Sequence, residues 1–158
     1  MTNHEAAADS RRAAALILHY SHRRTDGCNE VLAEAVQAAR ITELIMALCD
    51  LFQHIVPALV TQLGMACLSG LVVDMANTTD GDPDIRRAAQ LIAHHGNDNS
   101  EALTAVLADA DEADRVTELV LAILNLYETL LPPLYSPLGL KTLQQTVLDF
   151  AAQEDTDD

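Results

Sequence analysis

Moved along itself by one fixed offset, the one that carries Arg11 onto Arg86, this chain matches its own sequence. Arg11-Arg12-Ala13-Ala14 falls on Arg86-Arg87-Ala88-Ala89, and Leu16, Ile17 and His19 fall on Leu91, Ile92 and His94. Arg40-Ile41-Thr42-Glu43-Leu44 falls on Arg115-Val116-Thr117-Glu118-Leu119, Pro57 on Pro132, and Leu63-Gly64 on Leu138-Gly139. Residues 11–77 against 86–152 give 26 identities in 67 pairs without a gap. Chance matching of two Ala/Leu-rich helices would not hold one register over that length. The pattern reads as a tandem duplication, and a repeat bounds the topology before any local propensity is consulted.

The expected organisation is a first unit over 1–77, an acidic linker over 78–85, a second unit over 86–152 and an acidic tail over 153–158. A unit of about 75 residues is near the lower limit for an independent core. Two such units that bury a shared face resolve this as a homodimer would. One compact domain of about eight helices with pseudo-two-fold symmetry follows, a monomer resembling a fused dimer. Further oligomerisation is left open.

Within each unit the periodicity predicts four helices. The first spans about 9–20, where Ala13, Leu16, Ile17 and Tyr20 recur at helical spacing. The second spans about 26–37 and 101–110, with Ser100 as an N-cap. The third, about 38–56 and 112–131, is apolar on most sides and reads as the buried central helix, ended by Pro57 or Pro132-Pro133. The fourth spans about 62–76 and 137–152, started in the second unit by Ser136-Pro137. The segment 77–84 reads as an exposed linker whose last residue, Asp84, caps the next helix. Aromatics are only 3% and Trp is absent, so the core rests on Leu, Ala, Val and Ile. No segment alternates with period two for long enough to make a strand. The expected class is all-α.

Cys28, Cys49 and Cys67 lie in apolar helical patterns and read as reduced core residues of a cytoplasmic protein. At the repeat offset they meet Leu103, Leu124 and Thr142, which suits packing and not redox or metal chemistry. The start of the chain has no basic and apolar signal pattern. The longest apolar helix is interrupted by Glu43, Asp50 and His54, so no membrane span is expected.

Charge is the other strong constraint. Nine Lys and Arg stand against 24 Asp and Glu, a formal net charge of −15. Direct nucleic-acid binding is disfavoured, because affinity for a phosphate backbone comes from clustered cations. Residues 78–158 carry −12 of that charge, which points to a partner protein with a basic surface. Asp109, Asp111, Glu112 and Asp114 are the candidate contact, and their counterparts are Glu34, Val36, Gln37 and Ala39. The competing reading makes them helix-capping and solubility charges.

Three other sets of residues invite a chemical reading. Arg12 and His19, repeated as Arg87 and His94, share a helix face with a spacing similar to the HEPN ribonuclease signature. That resemblance covers seven or eight residues and implies Arg and His from paired helical units meeting at an RNA phosphate. The competing reading has them border the buried stripe, with His near a helix C-terminus. Arg40 with Glu43, and Arg115 with Glu118, are i, i+3 partners that read either as local ion pairs or as a seam between units. Glu43, Asp50 and His54 form a polar stripe matched by Glu118, Asn125 and Thr129, which cannot repeat a metal site. No metal or cofactor motif is present, nor a phosphate loop or nucleophile elbow. The expected function is that of a small acidic, non-enzymatic interaction or regulatory protein. The alternatives are a HEPN-like ribonuclease and an acidic mimic of nucleic acid.

Overall fold

The computed structural model describes residues 3–156, with side-chain surroundings for 4–154. Among these residues the chain is helical throughout, with no strand. In order come α1 (Asn3–Ser21), α2 (Thr25–Gln37), α3 (Ile41–Leu59), α4 (Gln62–Asn77), α5 (Pro83–Gly96), α6 (Ser100–Glu112), α7 (Val116–Leu130) and α8 (Pro137–Thr156). A 3-10 turn, Pro132–Tyr135, separates α7 from α8. The starts of α2 and α6, of α3 and α7, and of α4 and α8 are each separated by the repeat offset.

The turns obey the same spacing. Arg23, Ala39, Asp98 and Asp114 hold left-handed backbone, with φ of 55°, 55°, 53° and 54°. After each, a backbone N–H reaches back five residues: Arg24 to the His19 carbonyl at 2.9 Å, Arg40 to Ala35 at 2.8 Å, Asn99 to His94 at 3.0 Å, and Arg115 to Ala110 at 2.8 Å. These bonds close the preceding helix in a Schellman-type cap. Glycine is the residue that suits such a position, and an L side chain there costs roughly 1 kcal/mol. The caps therefore set Arg40 and Arg115 at the corner where the next helix begins.

Several helix ends differ from the sequence reading. α3 does not stop at Pro57 but runs through it to Leu59, with the Val60 N–H still bonded to the Val56 carbonyl at 2.9 Å. A proline this close to a helix end removes a single ladder bond, so the helix tolerates it. Pro132, by contrast, starts the 3-10 turn after α7 has ended. Asn99, and not Ser100, caps α6, its side chain accepting from the Ala102 N–H at 3.1 Å. Asp82 caps α5 by accepting from the Asp84 N–H at 2.8 Å, while Asp84 itself is buried. The cap and the last acidic residue of the linker are different groups.

Two compact units emerge from the packing. One joins the chain up to Leu51 with the segment from Pro132 onward. In it α1 lies along α8 and against α2, and α8 also meets the 3-10 turn. Its core includes Leu16, Ile17, Leu44, Ile45 and Leu48, all fully removed from water. The other is Phe52–Leu131, where α5 packs against α4, α6 and α7. Leu91, Leu119, Ile123, Leu124 and Tyr127 are fully buried there, and the Phe52 ring meets Tyr127 edge-on at 5.3 Å. Burying each such side chain contributes roughly 1.5–3 kcal/mol. The repeats 1–77 and 86–152 describe the sequence, whereas packing groups the helices differently: α8 lies on α1, and α4 lies on α5. A five-residue loop between α4 and α5 makes these two an αα-hairpin.

Among the described residues α3 alone is long and apolar enough to cross a bilayer by length and composition, with 19 residues and a mean hydropathy of 1.3. The sequence reading expected no such helix. Glu43, Asp50 and His54 are too few to lower the average of a helix that carries Leu44, Ile45, Leu48, Phe52 and Val56 as core residues.

Cys28 and Cys49 are buried, but Cys67 is exposed on α4 and is not the core residue its apolar neighbours suggested. Burial, then the nearby Asp50 charge, pushes the Cys49 thiol up to about 12, and burial raises Cys28 as well. A protonated, covered thiol is a poor nucleophile. Titration with a maleimide under native conditions is expected to label Cys67 rapidly and the other two only on unfolding. Three equal rates would show that the core is misassigned.

Candidate functional site

The densest polar chemistry lies in two clusters built alike. Asp9 on α1 is 3% exposed. Arg12, one turn further on the same helix, donates from Nη1 to its Oδ1 at 2.9 Å. Arg40, at the corner before α3, donates to its Oδ2 from Nε at 2.9 Å and from Nη2 at 2.5 Å. Arg12 Nε also donates to Glu34 on α2 at 2.9 Å. In the other unit Arg87 Nη1 donates to Asp84 Oδ1 at 2.9 Å, Arg115 Nη2 to Asp84 Oδ2 at 2.5 Å, and Arg87 Nε to Asp109 Oδ2 at 2.6 Å. Asp9 and Asp84, Arg12 and Arg87, Arg40 and Arg115, and Glu34 and Asp109 are all pairs related by the repeat offset.

Electrostatics follow from this geometry. The Arg115 hydrogen bond, acting against burial and joined by Arg87, holds the Asp84 carboxyl below its ordinary value. Burial pushes Glu34 up, but hydrogen bonds from Arg11 and Arg12 overcome it and leave the carboxyl lowered. Carboxylates held charged in this way are poor proton carriers near neutral pH. The clusters tie the first helix of each repeat to the second and third, which is a positioning role.

Of the sequence-derived candidates, Arg12, Arg40, Arg87, Arg115 and Asp109 join these clusters, Glu43 and Glu118 border them, and the others lie outside them. Arg12 and Arg87, the arginines of the ribonuclease alternative, are both engaged by two carboxylates. His19 lies over Gly27 at the start of α2, so closely that a Cβ there would collide with the imidazole ring. His94 sits near the C-terminus of α5 and is half-buried. Arg40 and Arg115 do pair with Glu43 at 3.7 Å and with Glu118 at 3.2 Å. Their closer partners, however, are Asp9 and Asp84, each on the first helix of the same sequence repeat. This is the contact that the seam reading did not include.

Asp109, Asp111 and Glu112 occupy the last turn of α6, and Asp114 is the left-handed residue of the turn that follows. All four are exposed. They do not cap α7, whose N-cap is Arg115 with no side-chain capping bond. Carboxylates at a helix C-terminus face the negative end of its dipole, so Asp111 and Glu112 act against the helix they end. Asp109 has a structural reason to be acidic, namely Arg87, and Asp114 has one in the tolerance of Asp for left-handed backbone. Among the described residues no cation pairs with Asp111, Glu112 or Asp114.

Asp9, Asp84 and Glu34 were missed as site residues. The signal lay in the repeat: extending its register two positions upstream of Arg11 pairs Asp9 with Asp84, each three positions before an arginine. One asymmetry also emerges. Arg11 donates to Glu34 and to Glu154 on α8, at 2.7 Å each, whereas its counterpart Arg86 has no ion-pair partner among the described residues. Asp109 is one methylene shorter than Glu34, and Thr79 stands where the offset would require an acid to match Glu154.

Among the described residues no group of three or more His, Cys, Asp and Glu is placed to hold a metal ion. No family model matches the chain, and no curated protein or solved structure matches it.

Proposed function

We propose that this chain is a small cytoplasmic, non-enzymatic interaction protein that docks a partner with a basic surface through the C-terminal turn of α6. The observation that carries this reading is the trio Asp111, Glu112 and Asp114, exposed and without cation partners among the described residues, at a helix end where Asp111 and Glu112 oppose the dipole. Asp109 belongs to the scaffold under this reading, because it carries the Arg87 bond. The tandem duplication, and with it the pseudo-two-fold arrangement, is likewise our proposal. It is supported by the one offset that relates helix starts, left-handed turns and ion clusters alike. The ribonuclease alternative would require Arg12 and Arg87 to release their carboxylates before either could meet a phosphate.

The test is binding of a Lys/Arg-rich peptide, followed by fluorescence anisotropy at low and physiological salt. Changing Asp111 and Asp114 to Asn and Glu112 to Gln together is expected to slow association several-fold and to flatten its salt dependence, leaving the thermal midpoint within a degree or two. Asp109→Asn is expected to do the reverse, lowering stability with little effect on binding. Unchanged association in the triple variant would overturn the reading.

A further inference from the structure

A cleft of about 280 Å³ opens in the second unit, between the C-terminal half of α3, α4 and α5. Its walls are mixed, with Phe52, Val56, Leu68, Val72 and Ile92 supplying the apolar side. Its polar side chains are Gln53, Ser69 and Asn97, all of them uncharged. No charged residue lines it, in a chain with 33 charged side chains. Such surroundings penalise an ion and favour a neutral apolar body oriented by one or two hydrogen bonds.

We propose that this cleft is a binding site for a small neutral molecule with a ring-sized apolar body and one N–H or O–H donor. Volume sets the body. A dry cavity of about 150 Å³ is known to accept benzene, so 280 Å³ admits a body somewhat larger, of one fused ring system. Gln53 sets the polar end. One of its two amide N–H groups is committed to the Ile92 carbonyl at 3.2 Å, which fixes the amide so that its oxygen can accept from a ligand donor. Gly96 makes room for that amide, since a Cβ there would come within 2.8 Å of the Gln53 nitrogen.

Small residues hollow out the cleft. Ser69 and Ala93 line it, and at the matching positions of the other repeat stand Gln144 and Leu18. The depression bordered by Leu18 and Gln144 in the first unit is lined by Arg24 and Lys141 as well, so it lacks the neutral character. The proposed site therefore belongs to the second unit. It is independent of the acidic turn of α6, none of whose residues lines it.

Calorimetric titration of the full chain with indole tests the proposal. Saturable one-site binding is expected, with Kd of about 0.1–1 mM for a probe of this size. Indoleacetate, the same ring bearing a carboxylate, should bind at least tenfold more weakly. Ala93→Leu should weaken indole binding at least tenfold, and Ser69→Gln, an exposed position on α4, provides the same test if the first variant folds poorly. Absence of saturable indole binding at millimolar concentration would overturn the proposal. So would equal affinity for indoleacetate, or unchanged binding in a folded variant.

Discussion

Asp9→Asn is expected to destabilise the chain by about 2–3 kcal/mol, although it changes no more than one oxygen for an amide nitrogen. Removing one partner of a buried ion pair costs about 3–5 kcal/mol, because the remaining charge stays buried without compensation. Here the groups left behind are Arg12 and Arg40, whose side chains are 10% and 17% exposed; each keeps a second carboxylate, Glu34 at 2.9 Å and Glu43 at 3.7 Å, so part of that loss is recovered. Asp84→Asn leaves Arg87 with Asp109 and Arg115 with Glu118, and Arg115, 45% exposed, rehydrates more easily than Arg40. Its cost should therefore be about 1–2 kcal/mol. Urea unfolding with an unchanged m-value distinguishes the two variants. A loss under about 1 kcal/mol for Asp9→Asn would mean that the cluster is solvated and not structural.

Asp84 also gives the acid limb a definite sign. Its folded carboxyl lies below the ordinary 3.8, so the unfolded chain binds the proton more readily. The stabilisation it supplies is complete above that value and is lost as pH falls through the lowered folded one. Asp84→Asn should accordingly flatten the decline in stability below pH 3.8, leaving the slope at neutral pH unchanged.

Gly139→Ala is expected to cost about 2–3 kcal/mol, whereas Gly64→Ala, at the matching position on α4, should change stability by less than about 1 kcal/mol. Both glycines lie in the first turn of their helices, each donating its N–H to a capping hydroxyl, Ser136 or Thr61, at 3.2 Å. The difference is the obstacle. A Cβ on Gly139 would run into the backbone carbonyl of Leu134 and come within 2.7 Å of the Pro133 oxygen. That backbone is the 3-10 turn, which has no rotamer into which to retreat. A Cβ on Gly64 meets the side chain of Val60 instead, which can rotate, and the helix gains from alanine. Thermal unfolding of the two variants side by side tests this, and equal midpoints would contradict it.

Helix content and the approximate extent of seven helices were readable from the amino acids alone, as were the apolar core positions of the third helix of each repeat. Each rests on local periodicity, which the chain carries within three or four helical turns. Periodicity did not show that α5, and not α7, is the helix that meets three others in its unit. The ion clusters were half readable. Arg12, Arg40, Arg87 and Arg115 were visible as repeated charges, yet their carboxylates were overlooked because Asp9 and Asp84 lie just outside the aligned window. Cys67 was misassigned for a different reason: α4 is apolar around most of its circumference, so hydrophobicity could not say which side faces water.

Which fourth helix packs on which first helix was decided only in three dimensions. The two stretches related by the offset carry similar but not identical apolar patterns, so the pattern alone does not say which fourth helix serves which first helix. Composition marks α4 and α8 as helices with apolar surface to cover but does not name its occupant. The choice falls to chain geometry: five residues between α4 and α5 favour a hairpin of those two, while α8, reached through the rigid turn Pro132–Tyr135, lies along α1. Local patterning determined the helices and, apart from α4, their apolar faces. Loop length and the closure of the chain, which no single segment encodes, decided how those faces were paired.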